Sequence, residues 1–130
     1  MTKPKKEFAI VGLGKMGGNL ALQALEKGFT VVGMDKKEPS VELRDKGLRV
    51  ADDFGDLADH LSSPRAVFVY VPAGPVVDTV IDEVAESMDD GDVIVDGGNS
   101  YWGDSIRRAR RLENKGIHFV DLGTSGGTSG

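Results

Sequence analysis

Phe8-Ala9-Ile10-Val11-Gly12-Leu13-Gly14-Lys15-Met16-Gly17 is the stretch from which the rest of the chain can be read. Its first four residues are a continuous apolar run, the pattern of a short strand covered on both faces. Three glycines follow at GxGxxG spacing. From Met16 to Lys27 the pattern turns helical, with Leu20, Leu22, Ala24 and Leu25 as an apolar stripe and Gly28 as a C-terminal stop. Strand, glycine turn and helix in that order give the spacing a mechanism. Gly12 permits the tight turn, Gly14 lets a pyrophosphate approach the backbone, and Gly17 lets the helix pack close to the strand. Amides at the helix start, with their partial positive charge, then attract the phosphates. The expected contacts run through Gly12, Leu13, Gly14, Lys15, Met16 and Gly17. The alternative, a glycine-rich turn with no ligand, is disfavoured by the order of elements around it.

The alternation continues to the end of the chain. Thr30 to Met34 is expected as a second strand, and Pro39 and Ser40 open a short helix to about Lys46. Arg49-Val50-Ala51 is a weak third strand, and Asp52 or Asp53 caps a small helix from Phe54 to Leu61. Ala66 to Val71 is a strong fourth strand. Pro75 then suits the first turn of a helix that buries Val76, Val77, Val80, Ile81, Val84 and Met88. Asp92 to Asp96 and Ile117 to Leu122 are the fifth and sixth strands, joined by a helix with Ile106, Ala109 and Leu112 as its apolar positions. Six strands with intervening helices predict an α/β fold, a Rossmann doubly wound parallel sheet, in a single domain over residues 1–122. Right-handed crossovers would set the first and fourth strands side by side, with a ligand crevice at their carboxyl ends. Residues 123–130, Gly123-Thr124-Ser125-Gly126-Gly127-Thr128-Ser129-Gly130, carry almost no side-chain volume and read as a Gly/Ser-rich tail.

Composition narrows the class. With 130 residues, 39% hydrophobic and 28% charged, the chain reads as one ordinary soluble domain. Its formal charge of −5 argues against a general affinity for nucleic acid. It has no cysteine, which excludes disulfides, thiolate catalysis and Cys-ligated metals. The basic start Met1-Thr2-Lys3-Pro4-Lys5-Lys6 is followed by an apolar stretch too short and glycine-broken for a signal peptide or a membrane span. A cytoplasmic location is therefore expected.

Asp35 closes the second strand about 20 residues beyond the glycines, where a carboxylate can accept hydrogens from both hydroxyls of an adenosine ribose. The same charge repels a 2′-phosphate, so NAD is expected in preference to NADP. Lys36 and Lys37 either offset that repulsion in part or are a solvated loop pair, and charged loop residues are usually exposed. Val71-Pro72-Ala73-Gly74, at the expected switch point, offers small side chains that let ribose and pyrophosphate lie close. Pro72 and Gly74 would also simply end a strand, and the two readings are compatible.

Two further segments carry a family resemblance. Asp96-Gly97-Gly98-Asn99-Ser100 after the fifth strand and Ser125-Gly126-Gly127 after the sixth resemble 6-phosphogluconate dehydrogenase, within the wider β-hydroxyacid dehydrogenases. Gly12-Leu13-Gly14-Lys15-Met16-Gly17-Gly18-Asn19-Leu20 is similar to that family's opening, where Met and Asn are more specific than the glycines. Tyr101-Trp102-Gly103-Asp104-Ser105 looks most like its shorter, often NAD-linked bacterial branch. The resemblance implies that Asn99 lies beside the nicotinamide and reaches the substrate. It implies that Ser125, Gly126 and Gly127 meet the carboxylate and hydroxyl end of 6-phosphogluconate. Donor and acceptor on one Asn, and exposed amides in Ser-Gly-Gly, suit those roles. Without it, Asn99 would read as a turn or cap residue and the tail as a linker. Pro72 departs from many relatives, which carry lysine there, so no charged contact is carried over at this position.

The family oxidises the substrate's 3-hydroxyl by hydride transfer to the nicotinamide and then releases CO₂ to give ribulose 5-phosphate. Its lysine base and glutamate acid lie in a helix beyond Ser-Gly-Gly, so no catalytic residue is expected in this chain. An all-helical domain that completes the substrate site and forms the family's homo-oligomer is expected beyond Gly130. A non-enzymatic NAD(H)-sensing domain is the competing class; it would share the turn and Asp35 but has no need of the two later segments. A methyltransferase binding S-adenosylmethionine is a weaker competitor, because its glycine loop binds no pyrophosphate.

Arg107, Arg108, Arg110 and Arg111 suggest phosphate or nucleic-acid binding at first sight. On a helix they cover more than one face, and Asp104 stands at i,i+4 spacing from Arg108. With net negative charge and no stacking aromatics nearby, a solvated helix face is the expectation. His60 and His118 have no metal-ligand spacing, so no metal is expected. His118 reads as a residue facing one side of the sheet.

Overall fold

A computed structural model describes residues 6–62, 64–71, 75–97 and 102–122, with residue 75 and residues 102–105 described by backbone alone. The described elements are β1 (Glu7–Val11), α1 (Lys15–Glu26), β2 (Thr30–Met34), α2 (Val41–Asp45), β3 (Arg49–Val50), α3 (Phe54–Asp59), β4 (Ala66–Val69), α4 (Pro75–Glu86), β5 (Val93–Asp96), α5 (Trp102–Glu113) and β6 (His118–Asp121). The strands form one parallel sheet in the order β3-β2-β1-β4-β5-β6. The order reverses between β1 and β4, which pair in register from Ala9 with Val67 to Val11 with Val69. Such a reversal opens a crevice at the carboxyl ends of the two strands.

Both faces of the central strands are covered, which accounts for apolar runs such as Phe8 to Val11, while the edge strands β3 and β6 stay partly exposed. Phe8, Ile10 and Val31 face one way and pack with Ala21 and Ala24 of α1 and Leu43 of α2. Ala9, Val11, Val67, Val69 and Ile94 face the other way, against Leu57 of α3, Val77, Ile81 and Val84 of α4, and Leu112 of α5. The helix starts follow local chemistry. Ser40 Oγ accepts the Leu43 amide at 3.3 Å at the start of α2. Asp53, rather than Asp52, caps α3, its Oδ1 accepting the Asp56 amide at 2.8 Å. The Asp56 carboxylate reaches back to the Asp52 amide at 2.9 Å, so two amides of this start are satisfied reciprocally.

Three expectations about helix faces are corrected. In α1 the buried residues are Gly17, Ala21 and Ala24, while Leu20, Leu22 and Leu25 only flank the core. Small residues at this spacing let the helix axis ride close over β1, and the leucines spread to either side. Val76, read as buried, is 48% exposed at the start of α4. In α5 Ile106 is 44% exposed and Arg108 only 3%. The inward stripe of α5 therefore runs from Arg108 to Leu112, one turn apart.

At the amino ends of the strands, Asp92 is fully buried just before β5. It accepts the Arg65 amide at 2.6 Å, the Asp89 amide at 2.7 Å and Arg65 Nη1 at 3.2 Å. Arg65 Nε also donates to the Ala58 carbonyl at 3.0 Å. This network ties α3, β4 and β5 together at the end opposite the crevice.

Candidate functional site

The glycine turn is built by close backbone approach. Gly12 has φ +96°, and a Cβ there would collide with the carbonyl of Tyr70, the residue after β4. The Gly12 amide donates to Met34 O at 2.8 Å, and the Tyr70 amide donates to Val11 O at 2.7 Å. The turn is thus held from β2 on one side and β4 on the other. Gly17 sits against the Gly12 carbonyl, where a Cβ would collide with that oxygen and come within 3.3 Å of Ile10 Cγ2. Gly14 differs from both, since nothing lies within 4 Å of where its Cβ would stand. That open space, at the first turn of α1, is the place the sequence assigns to a pyrophosphate.

The electrostatics of this helix start suit an anion. Gly14 is the N-cap and has no side chain with which to close off the first amides. No acidic residue occupies the first turn, and Lys15 is the first helical residue. Lys15 and Met16 are exposed, Met16 at 65%. A shallow cleft runs from Gly14, Lys15 and Asn19 to Ser40 and Glu42 at the start of α2.

Leu13 has a more structural part than expected. Its side chain packs towards Gly33 of β2, where a Cβ would come within 2.9 Å of Leu13 Cδ1. Its amide donates to Asp35 Oδ2 at 2.7 Å. Asp35 is exposed at the end of β2, and its Oδ1 faces the Lys37 amide at 3.5 Å. One carboxylate therefore anchors the turn from β2 and presents its remaining lone pairs to solvent beside it. Lys36 and Lys37 are both exposed.

On the other side of the crevice, Val71 is half-buried against the core, and β4 ends earlier than expected, at Val69. Tyr70 is the residue that sequence reasoning passed over. Its backbone touches Gly12, and a Cβ on Gly97 would collide with its ring. The Gly97 amide donates to Val69 O at 2.9 Å. Gly97 is thus small because Tyr70 covers it. Burial raises the Tyr70 hydroxyl pKa above its ordinary value. Pro72, Ala73, Asn99, Ser125, Gly126 and Gly127 lie outside the described residues.

The arginine cluster is only in part the solvated face expected from its charge pattern: Arg107 and Arg110 are exposed, while Arg108 is buried and Arg111 half-buried. Arg108 Nε donates to Asp78 Oδ1 of α4 at 2.6 Å, and Nη2 to Oδ2 at 3.4 Å. Arg108 Nη1 lies 3.7 Å from Asp96 Oδ2, and the Asp96 side chain is only 1% exposed. Arg111 joins the group, with Nη2 3.3 Å from Asp78 Oδ1 and Nε 3.0 Å from Asp82 Oδ1. The signal available in the sequence was the spacing of Arg108 from Leu112, one turn apart on the inward face. Charge density pointed to solvent, and the acidic face of α4 decided otherwise.

The hydrogen bond from Arg108, opposed in part by burial, holds the Asp78 carboxyl below its ordinary value of 3.8. A depressed folded-state pKa contributes stability that is present above 3.8 and is lost as pH falls through the lower folded value. Asp78→Asn should reduce unfolding free energy at pH 7 by about 1.5 kcal/mol, the low end for a bond to a charged group, because Asp78 is partly exposed. It should also flatten the acid limb of stability below pH 4. Thermal midpoints of both proteins from pH 7 to 2 check this, and parallel curves would refute it.

Among the described residues, no group of three His, Cys, Asp or Glu side chains is placed to hold a metal, and no helix is long and apolar enough to cross a membrane. The strand order, the glycine turn and the acidic residue closing β2 define a dinucleotide-binding α/β domain. The chain belongs to the family described as the NAD binding domain of 6-phosphogluconate dehydrogenase, whose model matches residues 7–130. It is 40% identical over 136 aligned residues to a decarboxylating 6-phosphogluconate dehydrogenase of Saccharomyces cerevisiae, the alignment covering 100% of this chain and 28% of the yeast protein. It is 38% identical to the Treponema pallidum enzyme of the same name, covering 95% of this chain and 27% of that one. The chain thus spans little more than a quarter of these two relatives. Among solved structures, Plasmodium falciparum 6-phosphogluconate dehydrogenase, described with its cofactor NADP+ and with 6-phosphogluconate, matches at TM-score 0.75 and 28% identity. That match covers 87% of this chain and 26% of the other. An imine reductase variant from Myxococcus stipitatus, in complex with NAD+, shares the fold at TM-score 0.79 and 22% identity, over 91% of this chain and 40% of its own.

Proposed function

We propose that this chain is the cofactor-binding part of a 6-phosphogluconate dehydrogenase that oxidises and decarboxylates its substrate to ribulose 5-phosphate, with NAD preferred over NADP. The observation that carries the reading is the turn from Gly12 to Gly17, which is close-packed at Gly12 and Gly17, open at Gly14 and anchored by Asp35. The amides at the start of α1 and the cation of Lys15 hold the pyrophosphate. Asp35 keeps one oxygen on the Leu13 amide and offers the rest of its lone pairs to the adenosine ribose, while its charge repels a 2′-phosphate. Val71, Pro72 and Ala73 are assigned to the cofactor from their place in the sequence just after β4. When bound, the nicotinamide supplies the hydride acceptor.

Asn99 and Ser125-Gly126-Gly127 are assigned to the substrate on their resemblance to the family's segments. The same resemblance assigns Asn99 to the nicotinamide as well. The base and acid are assigned to a lysine and a glutamate of the whole protein outside this chain. In the same reading the whole protein is a cytoplasmic homo-oligomer joined through a helical domain.

The purified chain titrated with NADH should show saturable enhancement of nicotinamide fluorescence, reversed by NAD and unaffected by S-adenosylmethionine. It should form no NADH when given NAD and 6-phosphogluconate. Failure to bind NADH would overturn the cofactor reading. Turnover by the chain alone would overturn the placing of base and acid elsewhere.

A further inference from the structure

The sheet assigns the two halves of a dinucleotide to different strands. With the pyrophosphate at the start of α1 and the adenosine ribose at Asp35 after β2, the second nucleoside must extend across β4 towards β5. The carboxyl end of β5 therefore floors that second half. It ends on a buried charge, Asp96, followed by Gly97 under the Tyr70 ring.

Arg108 reaches Asp96 from the second turn of α5, with Nη1 3.7 Å from Asp96 Oδ2 and its other nitrogens in a fork on Asp78 of α4. Three elements thus meet on one guanidinium: the last residue of β5, the first turn of α4 and the inward face of α5. Asp78 lies in the first turn of α4, where a carboxylate also complements the partial positive charge of the helix start. Asp78 and Asp82 of α4 hold Arg111 one turn further on, so the α4–α5 contact has a second ionic tie.

We propose that Arg108 is a positioning residue for the nicotinamide half of the cofactor: it fixes the carboxyl end of β5, at Asp96 and Gly97, relative to α4 and α5. The proposal rests on the cofactor reading above. It sets Arg108 apart from Arg65, which makes a comparable buried network with Asp92 at the opposite ends of the same strands. Arg65 holds the sheet together. Arg108 does so too, and also sets the floor on which the second nucleoside rests.

The test compares NAD with ADP on the full chain. ADP carries the adenosine and pyrophosphate and lacks the second nucleoside. Arg108→Met and Arg65→Met should both lower the thermal midpoint. Arg108→Met should weaken NAD binding by about 3- to 10-fold and leave ADP binding within about 2-fold. Arg65→Met should leave the ratio of NAD to ADP affinity unchanged. Arg108→Lys keeps the charge but not the fork, so it should fold more readily and still lose NAD selectively. If Arg108→Met does not fold, the lysine variant alone carries the comparison. Equal losses on NAD and ADP, or no loss on either, would reduce Arg108 to a structural ion pair and overturn the proposal. Binding of neither ligand by the unaltered chain would bring down the cofactor reading itself, and the proposal with it.

Discussion

Gly12→Ala is expected to destabilise the domain by about 3 kcal/mol and to abolish measurable NADH binding, whereas Gly14→Ala, two residues on, should still fold and lose the cofactor. Two costs add at Gly12. Its φ of +96° lies where an L side chain is strained, at about 1–2 kcal/mol. Its Cβ would also strike the Tyr70 carbonyl, a backbone group of a residue whose amide is tied to Val11 O, and such overpacking costs typically about 1–3 kcal/mol. Relief would require β4 to move away from β1 at the switch point.

At Gly14 the position is reversed. Its φ is −69°, and nothing in the protein lies within 4 Å of the added methyl, so the cost is confined to a poorer N-cap, about 1 kcal/mol. The methyl stands at the proposed seat of the pyrophosphate. Chemical denaturation and NADH titration of the two variants separate the roles. Unchanged NADH affinity in Gly14→Ala would show that the turn is not the phosphate seat.

The second large effect concerns Asp35. Replacing it by asparagine should cut NAD affinity by about 10- to 100-fold, since hydrogen bonds to a charged group contribute roughly 1.5–3 kcal/mol. NADP affinity should hold or rise, because the repulsion of its 2′-phosphate is gone while Lys36 and Lys37 remain. Asparagine keeps a side-chain oxygen for the Leu13 amide, so the turn stays anchored and the melting point should barely move. Asp35→Ala removes that anchor as well and should lower both coenzymes' affinity through the turn. The discrimination against NADP by the unaltered chain should shrink with rising salt, as expected for an exposed charge. An unchanged NAD-to-NADP ratio in Asp35→Asn would mean that Asp35 serves the loop alone.

Much of this was legible in the residues because the signals were local. A strand, a glycine turn and a helix occupy consecutive positions, and the physics that selects glycine at each point acts within a few residues. The strand sequence was equally clear, since strands covered on both faces leave uninterrupted apolar runs such as Phe8 to Val11. Element ends shifted by a residue or two, as at β4, which ends at Val69 although the Tyr70 amide still bonds Val11 O. What the residues did not disclose was which side of a helix faces inward when charge and apolarity compete. The sequence sets Ile106 among the apolar positions of its helix and Arg108 on a solvated face, whereas Ile106 is 44% exposed and Arg108 only 3%. Arg108 can be buried because Asp78 and Asp96, 30 and 12 positions away in sequence, converge on it.

The fold class and the acidic residue closing β2 can be read from the residues alone, and so can the proposal of a pyrophosphate seat at the glycine turn, because each depends on chemistry carried by neighbouring positions. The tertiary structure alone decided that Gly12 is required by Tyr70 as well as by its own dihedral, and that Asp35 holds Leu13. It also decided that Arg108 is an internal tie. Each of these is a contact between segments far apart along the chain, and such contacts leave no periodicity to read. They exist only once the sheet has brought the carboxyl ends of β2, β1, β4 and β5 into one row.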